Sequence, residues 1–246
     1  MRGAFYRGFS YNAFTVNVCA VVLFVGDPRR EEARKGLPPR FLAELHREQI
    51  RRLRSLETVD VLLARDTGHG FSLAGPDGSI EFAAASIGDK IDRALGHCFS
   101  LGYAKVAIMA ADVAPVAAPV VGGALERATP EGAVLGRSPD GGFYIAAFAA
   151  LPAIDWKTLP WHSRETADAV VTALRNGGTE VVLLDQVHDI DSAEDAERAI
   201  RAIPDSRLRS RLLSRLRSRI TATPSDVTRV EFPDGLAVGL RAPPAA

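Results

Sequence analysis

Leu135 to Phe148 reads LGRSPDGGFYIAAF, a polar turn clamped between two apolar runs. Ser138-Pro139-Asp140-Gly141-Gly142 separates Ala133-Val134-Leu135 from Phe143-Tyr144-Ile145-Ala146-Ala147-Phe148. Proline followed by Asp-Gly-Gly supplies tight-turn chemistry, and the glycines let another backbone or a ligand approach closely. The aromatic and β-branched run behind the turn reads as a strand, which puts Asp140 at a strand mouth. A solvated Asp in an ordinary surface loop would give the same local pattern, so the flanking chain has to decide between them.

Upstream, Val16 to Val25 is near-continuously apolar, as expected of a parallel strand covered on both faces. Pro28 to Leu56 follows as loop and helix, with Phe41, Leu42, Leu45, Ile50 and Leu53 at helical spacing. Val59 to Ala64 reads as a second strand, and Asp66 to Gly78 as a glycine-rich loop. Ser86 to Leu101 reads as a helix, and Lys105 to Met109 as a strand ending at Ala110-Ala111-Asp112. Downstream of Phe148, a Pro- and Trp-containing loop leads to a helix from Ser163 to Asn176, closed by Gly177-Gly178. Glu180 to Leu184 is a further strand. In His188-Asp189-Ile190-Asp191-Ser192, either Asp191 or Ser192 can cap the helix that runs to Ala202.

Strands alternating with helices predict an α/β fold, three-layered, with a mostly parallel central sheet. The domain is expected to span residues 13–203, with 204–246 as a C-terminal extension. From Arg207 to Ile220, Leu208, Leu212, Leu216 and Ile220 share one helical face and six arginines cover the rest. The helix (207–220) is expected to dock by its apolar side; its basic side is either solvated or a partner surface. Val227 to Phe232 and Leu236 to Leu240, joined through Pro233-Asp234-Gly235, read as a terminal hairpin. The last residues, Ala242 to Ala246, read as frayed.

Composition bounds the function. Lys+Arg and Asp+Glu each number 30 in 246 residues, so no global field favours nucleic acid or an anionic membrane. The apolar run from Ala13 to Val25 is broken by Thr15 and Asn17 and is too short to span a bilayer, so no transmembrane segment is expected. Arg2 and Arg7 precede it, yet it ends in Gly26-Asp27-Pro28 and not in a small-residue cleavage site. Cys19 and Cys98 lie in apolar surroundings and read as buried thiols of a reducing compartment. A cytoplasmic protein is expected, with self-association left open.

No dinucleotide glycine motif, Walker loop, HExxH, CxxC or nucleophile elbow is present. Among the five histidines, His46, His69 and His97 read as structural or solvated; His162, beside Trp161, is the one that stands in a loop with chemistry nearby. What remains is a set of carboxylates at strand ends: Asp112, Asp140, Asp189 and Asp191. Carboxylates at the mouth of a parallel sheet suit Mg²⁺ or Mn²⁺ shared with a diphosphate. Turn chemistry explains Asp140, and helix capping Asp191, equally well.

The order of these segments resembles the bacterial arsenosugar-biosynthesis-type glycosyltransferases, within the nucleotide-diphospho-sugar transferase (GT-A) superfamily. The matching segments are Gly26-Asp27-Pro28 through Arg34-Lys35-Gly36-Leu37, Ile87-Gly88-Asp89-Lys90, Ala110-Ala111-Asp112-Val113-Ala114-Pro115, Asp140-Gly141-Gly142-Phe143-Tyr144, Trp161-His162-Ser163 and Asp189-Ile190-Asp191-Ser192-Ala193-Glu194-Asp195. The resemblance covers roughly Val16 to Ile203 and implies a Rossmann-like GT-A fold. It implies Asp112 as metal and diphosphate ligand and Asp191 as a second carboxylate near the metal. It also implies that Arg34 and Lys35, with Gly141 and Gly142, hold the donor, and that Asp140 faces sugar or acceptor. The chain departs from the family in three places. The first loop lacks the family's glycine and Lys-Thr-Arg and carries Glu31 and Glu32. The strand end has Ala110-Ala111 before Asp112 and an extra residue before Pro115, and His162-Ser163 replaces Ser-Thr after the tryptophan.

The leading expectation is a metal-dependent glycosyltransferase moving a sugar from a nucleotide-diphosphate donor to a small-molecule acceptor, with Asp140 and His162 as candidate catalytic groups. Two alternatives stand beside it. One is a nucleotidyltransferase of the same fold acting on a phosphorylated small molecule, which usually needs a glycine-rich basic first loop. The other is a catalytically decayed binding protein using the arginine-rich helix.

Overall fold

The computed structural model describes residues 19–67, 75–83 and 85–218. His69, most of the glycine-rich loop, the start of the first strand, Ile220, the terminal hairpin and the last residues lie outside the described residues.

The chain runs β1 (Cys19–Phe24), α1 (Pro28–Arg34), α2 (Phe41–Leu53), β2 (Val59–Asp66), β3 (Gly78–Phe82), α3 (Ile87–Ser100) and β4 (Lys105–Ala110). It continues through α4 (Ala118–Arg127), β5 (Gly132–Arg137), β6 (Phe143–Phe148), a 3-10 turn (Trp156–Thr158), α5 (Thr166–Asn176), β7 (Glu180–Leu184), α6 (Ala193–Arg201) and α7 (Ser206–Ser218). The strands form one sheet in the order β3-β2-β1-β4-β6-β5-β7. Every neighbouring pair is parallel except those made by β6, which runs antiparallel to both β4 and β5. The expected mostly parallel, three-layered α/β architecture is therefore the architecture of this chain.

The pleat divides the core in two. Val21 and Leu23 of β1 face the layer holding Ile50 and Leu53 of α2 and Val121 and Leu125 of α4. Ala20 and Val22 face the opposite layer, built from Ile91 and Leu95 of α3, Val170 and Leu174 of α5, and Trp156. Successive side chains on a strand point to opposite faces, so a strand apolar at every position has to be covered twice. A third cluster lies away from the sheet, where Phe41, Leu42 and Leu45 of α2 meet Ala196 and Ile200 of α6 and Leu208, Leu212 and Leu216 of α7. The C-terminal helix thus docks by the leucine face that its spacing predicts. On its basic side Arg211 and Arg215 both pair with Glu44, and Arg209 donates to the Ile203 carbonyl (2.9 Å).

Register puts the ligand-facing edge in one place. Phe24 at the end of β1 sits opposite both Ala64 and Ala110. Because β6 is reversed, β5 runs the same way as β4, and the Ser138–Gly142 turn lies at the carboxyl edge with the ends of β1 and β4. Among the described residues no helix is long and apolar enough to cross a membrane.

Candidate functional site

Four segments converge at the carboxyl edge. The first, after β1, is helical where a loop was expected. Asp27 caps α1 by accepting from the Arg29 N–H (2.9 Å), and Pro28 stands in the first turn. The two glutamates of this helix have structural work. Glu32 is buried, and its two carboxylate oxygens accept from the Arg40 and Leu42 N–H groups (2.8 Å each) at the start of α2. That start has no side-chain cap of its own, since the N-cap residue is Arg40, whose guanidinium offers no acceptor; its backbone is left-handed. Glu31 bonds the Arg34 guanidinium (2.6 Å).

Lys35 follows at the helix end, and its side chain is 0% exposed. Its Nζ lies 2.8 Å from Asp112 Oδ2, 3.3 Å from Asp191 Oδ1 and 3.9 Å from Glu31 Oε2. Burial alone would lower the ammonium pKa, but the charges of Asp112 and Asp191 outweigh it and raise the value. A buried ammonium persists only when paired in this way. Under it lies His46 of α2, buried and pushed down to about 4 by desolvation, hence neutral near pH 7. Its Nδ1 has no hydrogen-bond partner among the described residues. Arg34, by contrast, is 60% exposed.

The second and fourth segments are stitched together. Ile190 N–H donates to the Asp112 carbonyl (2.8 Å), and Val113 forms an isolated bridge with Asp189. This link brings the acids after β4 and β7 to one spot. The capping ambiguity also resolves: Ser192 Oγ accepts from the Asp195 N–H (3.1 Å) and caps α6, leaving Asp191 for the site.

The third segment is the Asp140 turn. Asp140 Oδ1 accepts from the Gly142 N–H (2.8 Å), so turn chemistry is realised, but it engages only one of the two oxygens. Gly141 is at φ +96, and a Cβ there would stand 2.0 Å from the Arg164 carbonyl oxygen. The Gly141 carbonyl in turn accepts from the Ala167 N–H (2.8 Å), pinning the turn to the first residues of α5.

The geometry therefore gathers one ligand oxygen each from Asp140, Asp189 and Asp191 within 4.8 Å of one another. Burial, the hydrogen bond with Asp191 and the charge of Asp140 push Asp189 up to about 7. Asp191 is held low: burial opposes this, but the Asp189 hydrogen bond and the Lys35 ammonium prevail. Three carboxylates this close repel, and a hard divalent cation with oxygen preference fits that donor set. Of the sequence-predicted residues, Asp140 and Asp191 fall in this trio, together with Asp189. Asp112 stands beside them, bonded to Lys35. Lys35 is beneath the acids and Arg34 at their rim. His162 is exposed, takes a left-handed backbone conformation (φ 59), and shares the lining of a neighbouring cavity with Asp140 and Gly142. Lys35 as counter-ion of Asp112 was not legible beforehand; its only sequence signal is a lone lysine at the end of a short acidic helix.

Residues 78–163, from β3 through the Asp140 turn to Ser163, match the family described as DUF2064, uncharacterized protein conserved in bacteria. No curated protein sequence matches the chain. Among solved structures, a protein of Desulfovibrio desulfuricans G20, provisionally assigned as a nucleotide-diphospho-sugar transferase, superposes with TM-score 0.69 at 19% identity, over 82% of this chain and 98% of that one. A nucleotidyl transferase from Methanothermobacter superposes with TM-score 0.52 at 16% identity, over 81% and 99%. The inositol-1-phosphate CTP transferase of T. maritima gives 0.50 at 14%, over 81% and 96%. At these identities the likeness establishes a shared fold, that of nucleotide-sugar transferases and nucleotidyltransferases.

Proposed function

We propose that the chain is a metal-dependent glycosyltransferase, moving a sugar from a nucleotide-diphosphate donor to a small-molecule acceptor in the cytoplasm. The observation that carries this reading is the convergence of Asp140, Asp189 and Asp191 at the carboxyl edge of the sheet. In open α/β sheets this edge is where ligands bind. Asp140, Asp189 and Asp191 would hold Mg²⁺ or Mn²⁺, which when bound supplies charge neutralisation for a departing diphosphate.

The chain's own groups divide the remaining work. Lys35 holds Asp112 and Asp191 in place from below, and its buried position suits a fixed counter-ion better than a mobile phosphate ligand. Arg34, solvent-facing beside Asp191 (3.9 Å), is the cation placed to meet a diphosphate. Gly141 and Gly142 keep the turn narrow enough for a ligand to reach Asp140, and His162 stands at the rim as the proton acceptor.

Nucleotidyl transfer is less well supported. Such enzymes cradle a triphosphate on backbone N–H groups, whereas here the Asp27 carboxylate already occupies the start of α1. Thermal unfolding against UDP, GDP, CDP, ADP, dTDP and their sugar conjugates, with and without Mn²⁺, tests the proposal. A ligand at about a hundred times its Kd adds roughly 2.7 kcal/mol. One nucleotide sugar is expected to raise the midpoint only with metal, and Asp189→Ala is expected to remove the shift. A response confined to triphosphates, with pyrophosphate release, would move the reaction to nucleotidyl transfer.

A further inference from the structure

A cavity of about 260 Å³ opens beside the carboxylates, and its chemistry differs sharply from theirs. Its walls are Phe24, Ile87, Ile91, Met109, Phe143 and Trp161. The aromatic side is a packed cluster: Phe143 and Trp161 lie with ring centroids 6.2 Å apart, and Trp161 stacks on Trp156 at 6.3 Å. Gly88 of α3 packs so tightly there that a Cβ would come 2.3 Å from the Trp156 carbonyl oxygen. A preformed cavity with apolar walls and few polar groups is the usual form of a small-molecule site.

The polar groups that do line the cavity are largely spent. Thr166 Oγ1 lies 2.6 Å from the Pro160 carbonyl and Ser163 Oγ lies 2.9 Å from the same oxygen, so each hydroxyl proton is committed. The Trp161 indole N–H is committed to the Trp156 carbonyl (2.7 Å). Among the lining side chains this leaves the His162 imidazole and the free oxygen of Asp140. Among the described residues no lysine or arginine lines the cavity. A phosphate or carboxylate seated against these apolar walls would find no cationic side chain among them to pair with. A hexose would lose water from several hydroxyls with two partners to replace it, leaving the rest unsatisfied.

We propose that this cavity is the acceptor site, and that the acceptor is an uncharged small molecule with an apolar, aryl- or alicyclic-sized body and a single hydroxyl. This rests on the glycosyltransferase reading for the word acceptor, though not for the binding itself. The hydroxyl meets His162 and Asp140, the member of the carboxylate trio that lines the cavity. In transfer, the acceptor oxygen forms its bond to the anomeric carbon as the bond from that carbon to the diphosphate oxygen breaks. The diphosphate leaves with the electron pair, and the hydroxyl proton passes to the His162 imidazole.

Binding of benzyl alcohol and cyclohexylmethanol to the full chain, without nucleotide or metal, tests the proposal by calorimetry and by the combined fluorescence of Trp156 and Trp161. Saturable binding of both alcohols is expected, with glucose and free nucleosides at least tenfold weaker. Ala110→Phe, which fills the cavity, is expected to abolish binding. Ile87→Asn, at a half-buried wall position that tolerates a polar group, is expected to weaken it several-fold with unchanged circular dichroism, should the larger substitution disturb folding. Absence of saturable binding, or tighter binding of glucose or of a nucleoside, would overturn the proposal, the latter two by giving the cavity to the donor's sugar or base. Failure of the glycosyltransferase reading has a different signature: no nucleotide shifts the midpoint with Mn²⁺, while the alcohols still bind.

Discussion

Asp189 is the residue on which the carboxylate trio turns. Held at about 7 by burial and its two acidic neighbours, it keeps a proton in the folded chain that an unfolded Asp gives up near pH 4. The resulting stabilisation is full below about pH 4 and is lost as pH rises through about 7, so the metal-free protein should weaken across that window. A divalent cation reverses the preference, because it binds the ionised form. Mn²⁺ affinity is therefore expected to climb between pH 6 and pH 8, approaching about tenfold per unit below pH 7, with release of close to one proton. Calorimetry in buffers of differing ionisation enthalpy measures that release. In Asp189→Asn both the release and the pH dependence should vanish; a wild-type affinity flat across this range would contradict the assignment of Asp189 as a ligand. The sequence marked this residue only as one acid in a run. Nothing in Asp189-Ile190-Asp191 told which oxygen would be desolvated, because that depends on Asp140, far away in the chain, and on the Ile190–Asp112 backbone bond. The same holds for Glu32, which looks misplaced in a phosphate-binding segment and is instead the cap of α2.

The Asp140 turn shows what one element contributes as a unit. Its two glycines answer to different constraints and separate experimentally. Gly141 is left-handed and has Arg164 backbone where a Cβ would go, with no flexible atom to give way. Gly141→Ala is expected to cost about 2 kcal/mol or more in urea unfolding, by backbone strain and by prising the turn from α5. At Gly142 an added Cβ would meet Asp140 Oδ1 at 3.2 Å, a side-chain atom that can move. Gly142→Ala is thus expected to leave stability within about 1 kcal/mol while weakening Mn²⁺ binding several-fold. Equal losses of stability in the two variants would mean that the turn is held by something other than the Arg164 contact. This element was legible because proline, Asp-Gly-Gly and a β-branched run state it locally. By contrast β3 and α4 left little trace. β3 is an edge strand in which only Phe82 is fully buried, so its sequence lacks alternation. α4 carries Gly122-Gly123 inside it and has no side-chain cap, so its propensity and its start signal are both weak. Tertiary packing of Val121, Ala124 and Leu125 against the sheet makes both glycines tolerable.

At the scale of the whole molecule the open question is whether α7 belongs to the domain or merely follows it. Composition drew a boundary near residue 203, where the pattern turns to Arg/Ser/Leu repeats. The packing argues for one unit: α7 covers the start of α2, the helix whose far end packs on the sheet, and whose N-terminus is held by Glu32 next to Lys35. We infer that removing α7's apolar contacts loosens the floor of the carboxylate site as well as the helix. Leu212 is fully buried between α2 and α6, and its replacement by Ala removes methyl groups that the surrounding helices cannot fully close over. Leu212→Ala is expected to cost about 2–5 kcal/mol, lowering the thermal midpoint of the entire cooperative transition by roughly 2–4 °C for each kcal/mol. Scanning calorimetry decides the matter. If α7 is an independent appendage, Leu212→Ala should leave the main transition in place and at most add a separate low-temperature step. If it is part of the domain, a single transition should shift down as a whole, and Mn²⁺ should raise it by a smaller increment than in the wild type, since the floor under the trio has loosened.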